Sequence, residues 1–159
     1  MSIIKPLEEL KIIRKQIKFE NKKVVFTNGV FDLIHAGHID YLTKAKALGD
    51  VLIVGLNTDE SVRRIKGDKR PILKEEERSF IVSNLKPVDY LVLFDEDTPA
   101  NLIENLIPDI LVKGADWALD EIVGREVVEE NGGHVKAIKF ANEQSTTKII
   151  DSIISKYCK

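Results

Sequence analysis

Two histidines three residues apart, His35 and His38, follow a short apolar run and a glycine in the stretch Val24-Val25-Phe26-Thr27-Asn28-Gly29-Val30-Phe31-Asp32-Leu33-Ile34-His35-Ala36-Gly37-His38. Residues three apart share one face of a helix, so both imidazoles can point at one object where a helix begins. The first N–H groups of a helix lack internal partners, and the dipole there favours an anion. Two imidazoles at a helix N-terminus therefore suit a phosphate. Their N–H groups could also stabilise the extra charge of a transferring phosphoryl centre. Spacing alone leaves two other readings open: histidines used for packing or surface, and half of a zinc site. Zinc usually takes three or four protein ligands, and the chain offers one further histidine, His134, and one cysteine, Cys158.

Positioning such a pair requires a strand that ends at the glycine and a helix that starts at the histidines. Val24, Val25 and Phe26 form a β-branched and aromatic run suited to a strand buried on both faces. After Gly37, Ile39, Leu42, Ala45 and Leu48 recur with helical spacing. The same alternation continues along the chain. Strands are expected over Val51 to Leu56, Asp89 to Phe94, Pro108 to Gly114 and His134 to Phe140. Helices are expected from Thr58 or Asp59, over Lys74 to Leu85, from Thr98-Pro99 to Leu106, over Arg125 to Asn131 and over Lys148 to Lys156. Leu7, Leu10, Ile13 and Ile17 predict a peripheral N-terminal helix within residues 1–20. Strands alternating with helices at this spacing predict a single α/β domain over residues 1–159. It is read as a Rossmann-like, doubly wound, five-stranded parallel sheet with helices on both faces.

Such sheets hold ligands outside the carboxyl ends of their strands. Thr27 to His38, Asn57, Lys113 to Trp117 and Ser145 to Thr147 all fall at those ends. Arg63 to Arg70 carries five cations in eight residues, with Gly67 and Pro71 beside it. It reads as a mobile cationic loop able to close over a polyanionic substrate.

Composition sets the outer bounds. Hydrophobic residues make up 43% and charged residues 31%, a globular balance. The net charge of −2 gives no basic excess, which argues against nucleic acid as the main partner. No apolar run approaches membrane-spanning length, the N-terminus lacks a signal-peptide core, and one cysteine cannot make an internal disulfide. A cytoplasmic protein without a membrane partner is expected. No Gly-x-Gly-x-x-Gly follows the first strand and no P-loop motif occurs, so dehydrogenase and P-loop kinase readings are poor.

From about Val24 to Ile153 the chain resembles the His-x-Gly-His nucleotidyltransferases, a cytidylyltransferase-like family. The resemblance rests on Phe26-Thr27-Asn28-Gly29, Phe31-Asp32, His35-Ala36-Gly37-His38, Lys66-Gly67 with Arg70-Pro71, Glu96-Asp97-Thr98-Pro99, Leu111-Val112-Lys113-Gly114 and Ser145-Thr146-Thr147. Within the family the likeness is strongest to adenylyltransferases acting on D-glycero-β-D-manno-heptose 1-phosphate. These form one half of a bifunctional kinase–adenylyltransferase, so the sugar kinase is expected on a separate protein.

The resemblance implies that the sugar phosphate attacks the α-phosphorus of ATP, with Mg²⁺ carried on the triphosphate and no dedicated metal ligand from the protein. It implies that His35 and His38 hold the α- and β-phosphates and stabilise the transition state. Thr27, Asn28 and Phe31 would line the first phosphate turn, Asp32 would orient it and Gly29 would supply it. Gly37 would allow close backbone approach. Lys46, Lys66 and Arg70 would bind substrate phosphates, with Lys46 in the catalytic set. Lys113, Gly114 and Asp116 would meet the ribose or base, and Ser145, Thr146 and Thr147 would offer hydroxyls and helix N–H groups to phosphates; Asn57 joins the nucleotide-binding set by its place at the carboxyl end of the second strand. A homodimer is expected on the same basis. Cytidylyltransferases carry an arginine before the last helix where this chain has Ala141-Asn142-Glu143-Gln144, which favours ATP. The enzyme alternative is nucleotidyl transfer to another small phosphate, such as glycerol phosphate or FMN.

Overall fold

The computed structural model describes residues 3–115, 118, 121–139 and 145–158. In chain order the elements are α1 (Leu7–Phe19), β1 (Val24–Gly29), α2 (Ala36–Lys46), β2 (Val51–Asn57), α3 (Asp59–Lys66), α4 (Glu75–Ser83), β3 (Tyr90–Phe94), α5 (Ala100–Leu106), β4 (Ile110–Gly114), α6 (Arg125–Glu130), β5 (His134–Ile138) and α7 (Thr146–Tyr157). The five strands form one parallel sheet in the order β3-β2-β1-β4-β5.

Successive strand residues feed opposite faces. Val24 and Phe26 of β1, with Ile53 and Leu111, join Leu10 and Ile17 of α1, Leu102 and Leu106 of α5 and Val128 of α6. Val25, Leu52, Val54 and Val112 join Tyr41, Leu42 and Ala45 of α2 and Val82 of α4 on the other face. Period-two alternation explains the split, and burial on both sides explains why the central strands β1 and β2 read as apolar runs. Each fully buried aliphatic side chain is worth roughly 1.5–3 kcal/mol.

The amino ends of the strands are tied by carboxylates. Asp50 accepts from Lys23 N, Asp109 from Val24 N and Asp89 from Leu52 N, each at 2.7 Å. Helix α1 is less peripheral than its sequence implied. Its buried Arg14 donates to the carbonyls of Leu106 and Ile107 and to Asp109, capping the carboxyl end of α5. The preceding residues run along β3, where Lys5 N donates to Leu91 O and Leu91 N to Ile3 O.

Chain order reverses between β1 and β4. β1 pairs with β2 over six residues, from Val24 to Gly29, but with β4 only at Val25–Ile110 and Phe26–Leu111. The two central strands therefore part towards their carboxyl ends, which opens a crevice at the switch point. Among the described residues no helix is long and apolar enough to cross a membrane.

Candidate functional site

A cleft of about 500 Å³ lies over that crevice, lined by residues that include Asn28, Phe31, His38, Asn57, Lys66, Arg70, Lys113 and Thr146. A cavity of similar size at the amino end of β2 and β3 is lined mainly by Ile3, Ile12, Ile13, Val51 and Tyr90. Its one aspartate, Asp89, is already committed to Lys46 and Leu52 N.

The turn from β1 into α2 builds the centre of the cleft. His35 is the N-cap of α2, with extended backbone, and His38 lies in the first turn. Their rings stack with centroids 3.9 Å apart and planes 27° apart. The Phe31 ring packs against His38 at 5.3 Å, tilted by 59°. Phe31 itself has φ +46°, an uncommon left-handed conformation for a bulky residue. Gly29 does not supply the turn in the way its sequence position implied, because the positive φ falls on Phe31. What Gly29 provides is clearance, since a Cβ there would sit 2.9 Å from the Phe31 ring.

Burial pushes the His38 pKa down to about 4, and the proximity of His35 adds to the effect. Burial also lowers the pKa of His35. Both rings are therefore neutral at pH 7 in the free protein. Among the described residues neither Nδ1 atom has a hydrogen-bond partner, although both are buried. No group of three or more His, Cys, Asp or Glu residues is arranged to hold a metal ion among the described residues.

The strained turn is gripped from both sides. Asp32 is 1% exposed, and its carboxylate accepts from Arg70 Nε at 2.7 Å, Ile72 N at 2.9 Å and Leu73 N at 2.9 Å. Arg78 of α4 is fully buried and donates to Val30 O at 2.8 Å, Asn57 O at 2.9 Å, Leu73 O at 3.0 Å and Asp59 at 2.7 Å. One guanidinium thus joins the β1–α2 turn, the end of β2, the start of α3 and the chain leading to α4. Sequence reasoning missed Arg78. The signal was its helical position four residues before Val82, which puts a cation on the buried face of α4.

The remaining predicted residues divide clearly. Lys113 Nζ donates to Asn28 Oδ1 across the gap between β4 and β1. Asn57 donates to Ser61 Oγ at 2.9 Å, and Ser61 donates in turn to Glu96 O at 2.9 Å. Ser145 caps α7, accepting from Lys148 N, and Thr146 reaches the cleft, whereas Thr147 is exposed. Thr27 does not face the cleft: it is fully buried, and its hydroxyl shares a 2.8 Å hydrogen bond with that of Tyr41. Gly37 and Gly114 are buried beside the cleft without lining it. Asp116 lies outside the described residues, as do Trp117 and Ala141 to Gln144.

Two expectations need correcting. Lys46 is not at the site. It ends the 11-residue α2, roughly 15 Å along the axis from the histidines at 1.5 Å per residue. Its ammonium is held at the amino end of the sheet by Asp89 and by Asp50 O. The cationic loop is also shorter than its composition suggested. Arg63, Arg64 and Lys66 belong to α3, where the carboxyl end of the helix dipole favours cations. Arg64 pairs with Asp97 at 2.8 Å. Of that stretch only Gly67 to Pro71 lie outside the helix, and Arg70, with Ile72 and Leu73 beyond it, reaches Asp32. The apolar part of the lining, Ile65, Pro99, Ile122 and Val123, was not anticipated, because those residues carry no chemistry of their own.

Comparison with known proteins places this geometry among others. The model of the cytidylyltransferase-like family matches residues 26–152. The chain is 60% identical over 136 residues to the bifunctional protein HldE of Citrifermentans bemidjiense, covering 86% of this chain and 28% of that protein. It is 53% identical over 154 residues to the bifunctional protein HldE of Geobacter sulfurreducens, covering 97% and 31%. It therefore spans under a third of the length of these curated relatives. Among solved structures, a lipopolysaccharide core biosynthesis protein from Thermoplasma volcanium is similar with a TM-score of 0.63 and 34% identity. That match covers 77% of this chain and 99% of the other.

Proposed function

This chain belongs to the cytidylyltransferase-like family, and we propose that it transfers AMP from ATP to D-glycero-β-D-manno-heptose 1-phosphate, giving ADP-heptose and pyrophosphate for lipopolysaccharide core synthesis. The observation that carries the reading is the stacked His35–His38 pair beside a cation-lined cleft at the switch point of the sheet. The similarity to the HldE proteins and to a lipopolysaccharide core biosynthesis protein supports the choice of acceptor.

In this reaction an acceptor phosphate oxygen forms a bond to the α-phosphorus of ATP. The bond from that phosphorus to the bridging oxygen breaks, and its electron pair leaves with pyrophosphate. A sugar phosphate has a second pKa near 6, so the nucleophile is largely ionised at pH 7 and no general base is required. What remains for the protein is positioning and charge stabilisation. Neutral His35 and His38 each offer one N–H to oxygens on which negative charge grows as the bond breaks, and those hydrogen bonds strengthen in the transition state. Lys66, Arg70 and Lys113 supply positive charge around the triphosphate and acceptor, Asn28 and Asn57 supply amide groups, and Thr146 meets phosphate at the start of α7. Mg²⁺ would enter as part of the substrate, carried on the triphosphate, and would supply positive charge to it. We place the protein in the cytoplasm as a homodimer, the dimer being open to test by sedimentation equilibrium.

The deciding experiment incubates the protein with Mg²⁺, each nucleoside triphosphate in turn and a panel of phosphorylated acceptors, and follows pyrophosphate. Turnover is expected with ATP and the heptose 1-phosphate. Turnover confined to CTP and glycerol phosphate would overturn the assignment. In the same assay His35→Ala and His38→Ala should each lose roughly 100-fold or more in kcat, and turnover within a few-fold of wild type would remove the histidines from the mechanism.

A further inference from the structure

We propose that Asp32 is a positioning residue that holds Arg70 as a preformed fork for the phosphate of the acceptor. The proposal rests on the nucleotidyl-transfer reading above and adds to it how the acceptor is gripped.

The geometry is specific. Asp32 is buried at the start of the histidine turn and takes only the Nε–H of Arg70, at 2.7 Å. Its other contacts are the backbone N–H groups of Ile72 and Leu73. The carboxylate is thereby filled from one side, and both η nitrogens of Arg70 make no hydrogen bond among the described residues. The Arg70 side chain is 18% exposed and lines the same cleft as His38 and Lys66.

A bidentate pair would have consumed the fork. This end-on pair leaves it. A free arginine loses side-chain entropy when it is fixed. Here that ordering is done by folding rather than by substrate, which is the general basis of preorganised binding. The two η N–H groups can then meet two oxygens of a phosphate in parallel.

The position selects the acceptor rather than ATP. Asn28, Lys113 and Thr146 come from β1, β4 and α7, at the crevice where such sheets seat a nucleotide. Arg70 comes from the far side of the histidine turn, beside Lys66 at the end of α3. In-line displacement requires the acceptor oxygen to enter opposite the leaving pyrophosphate, and Arg70, which follows β2 and α3, stands across β1 from the β4 residue Lys113, clear of the crevice that seats the nucleotide. Because Asp32 also belongs to the turn that carries Phe31 and leads to His38, one carboxylate fixes the distance between the acceptor clamp and the catalytic pair.

The test measures KM separately for acceptor and for ATP in Arg70→Lys, Asp32→Asn and the double variant. Lysine keeps the charge but has neither an Nε–H for Asp32 nor a planar fork. Arg70→Lys should raise the acceptor KM about 10-fold or more while the ATP KM stays within about two-fold. Asp32→Asn should do the same, and the double variant should be no worse than the more severe single one, because both remove one device. A rise in ATP KM, additive losses or an unchanged acceptor KM would overturn the proposal. If Asp32→Asn does not fold, Arg70→Lys decides alone. Calorimetric titration with inorganic phosphate gives a readout independent of the acceptor's identity. Wild type should bind, and Arg70→Lys should bind about 10-fold more weakly; equal affinities would overturn the clamp. Absence of wild-type turnover with heptose 1-phosphate, alongside weakened phosphate binding in Arg70→Lys, would overturn the functional reading and leave the clamp standing.

Discussion

Replacing Arg78 by methionine gives the most direct measure of how the site is held together. The side chain is fully buried and serves four acceptors on four segments, the carbonyls of Val30, Asn57 and Leu73 and the carboxylate of Asp59. Methionine fills much of the volume but donates nothing. Asp59 is 19% exposed and can turn to solvent, so the loss comes mainly from the three carbonyls. Each buried carbonyl left unpaired costs about 1–3 kcal/mol. Three carbonyls span about 3–9 kcal/mol, and the losses seen on breaking buried charged networks select the lower part of that range, about 3–5 kcal/mol. Domains of this size have about 5–15 kcal/mol in all. With a urea m-value near 2 kcal/mol/M, the unfolding midpoint should fall by roughly 2 M at unchanged m. Arg78→Lys should lose less, since an ammonium retains some donors but cannot span the four acceptors of a planar fork. Below its midpoint the methionine variant should still lose about 10-fold or more in kcat/KM, because Val30 lies in the turn that sets Phe31 and His38. A destabilisation under about 1 kcal/mol would refute the energetic reasoning. Full activity in the folded variant would refute the link between Arg78 and the proposed role of the histidine turn.

The histidines predict a pH dependence of stability. His38 has a pKa of about 4 in the fold against its ordinary 6.5, so between those values the unfolded chain binds a proton that the folded chain does not. The contribution is complete above pH 6.5 and is lost as pH falls towards 4. Full conversion gives ~3 kcal/mol, and solvent screening of the partly exposed ring reduces it to roughly 1–2 kcal/mol. Urea unfolding at pH 7.5 and pH 5 should show wild type losing more than His38→Asn over that interval, and equal losses would refute it. Lys46→Met should lower stability by about 1 kcal/mol or less, as expected for a partly exposed ion pair. Its kcat/KM should stay within about three-fold; a large loss of turnover at normal stability would return Lys46 to the site.

The architecture was legible because its signals are local. Runs such as Val24-Val25-Phe26 and Val51 to Leu56 are buried on both faces and could be read from apolar character alone, whereas the edge strand β5 exposes His134, Lys136 and Ala137. Thr58 and Ser145 declared two helix starts, and both accept the capping N–H in the fold. The pair His35–His38 was legible because strand, glycine and helix follow one another within fifteen residues. Parts built from distant segments were not legible. The clamp on Phe31 needs Asp32 to meet residues 70 to 73, and Arg78 needs carbonyls from three separate stretches. Gly29 was understood as a turn residue because glycine usually serves turns, whereas the requirement here is room for an aromatic ring two residues on.

Charge shows why residue type alone could not assign the phosphate ligands. The chain has 24 lysines and arginines, and several stand in motifs or clusters that suit an anion. Their usefulness depends on what their donors already serve. Lys46 is engaged by Asp89 and Asp50 O, Arg64 by Asp97 and the Asp95 carbonyl, and Arg78 by four acceptors. Those cations are structural, because withdrawing them to meet a substrate would strand buried or ordered partners. Lys66 makes no ion pair among the described residues and reaches the cleft, while Arg70 surrenders one N–H and keeps its fork. A positive charge near a phosphate site is therefore informative in proportion to the donors it has left uncommitted. By that measure Lys66 and Arg70 are the cations we propose for the acceptor end of this cleft, the second of them held by Asp32 through its Nε–H.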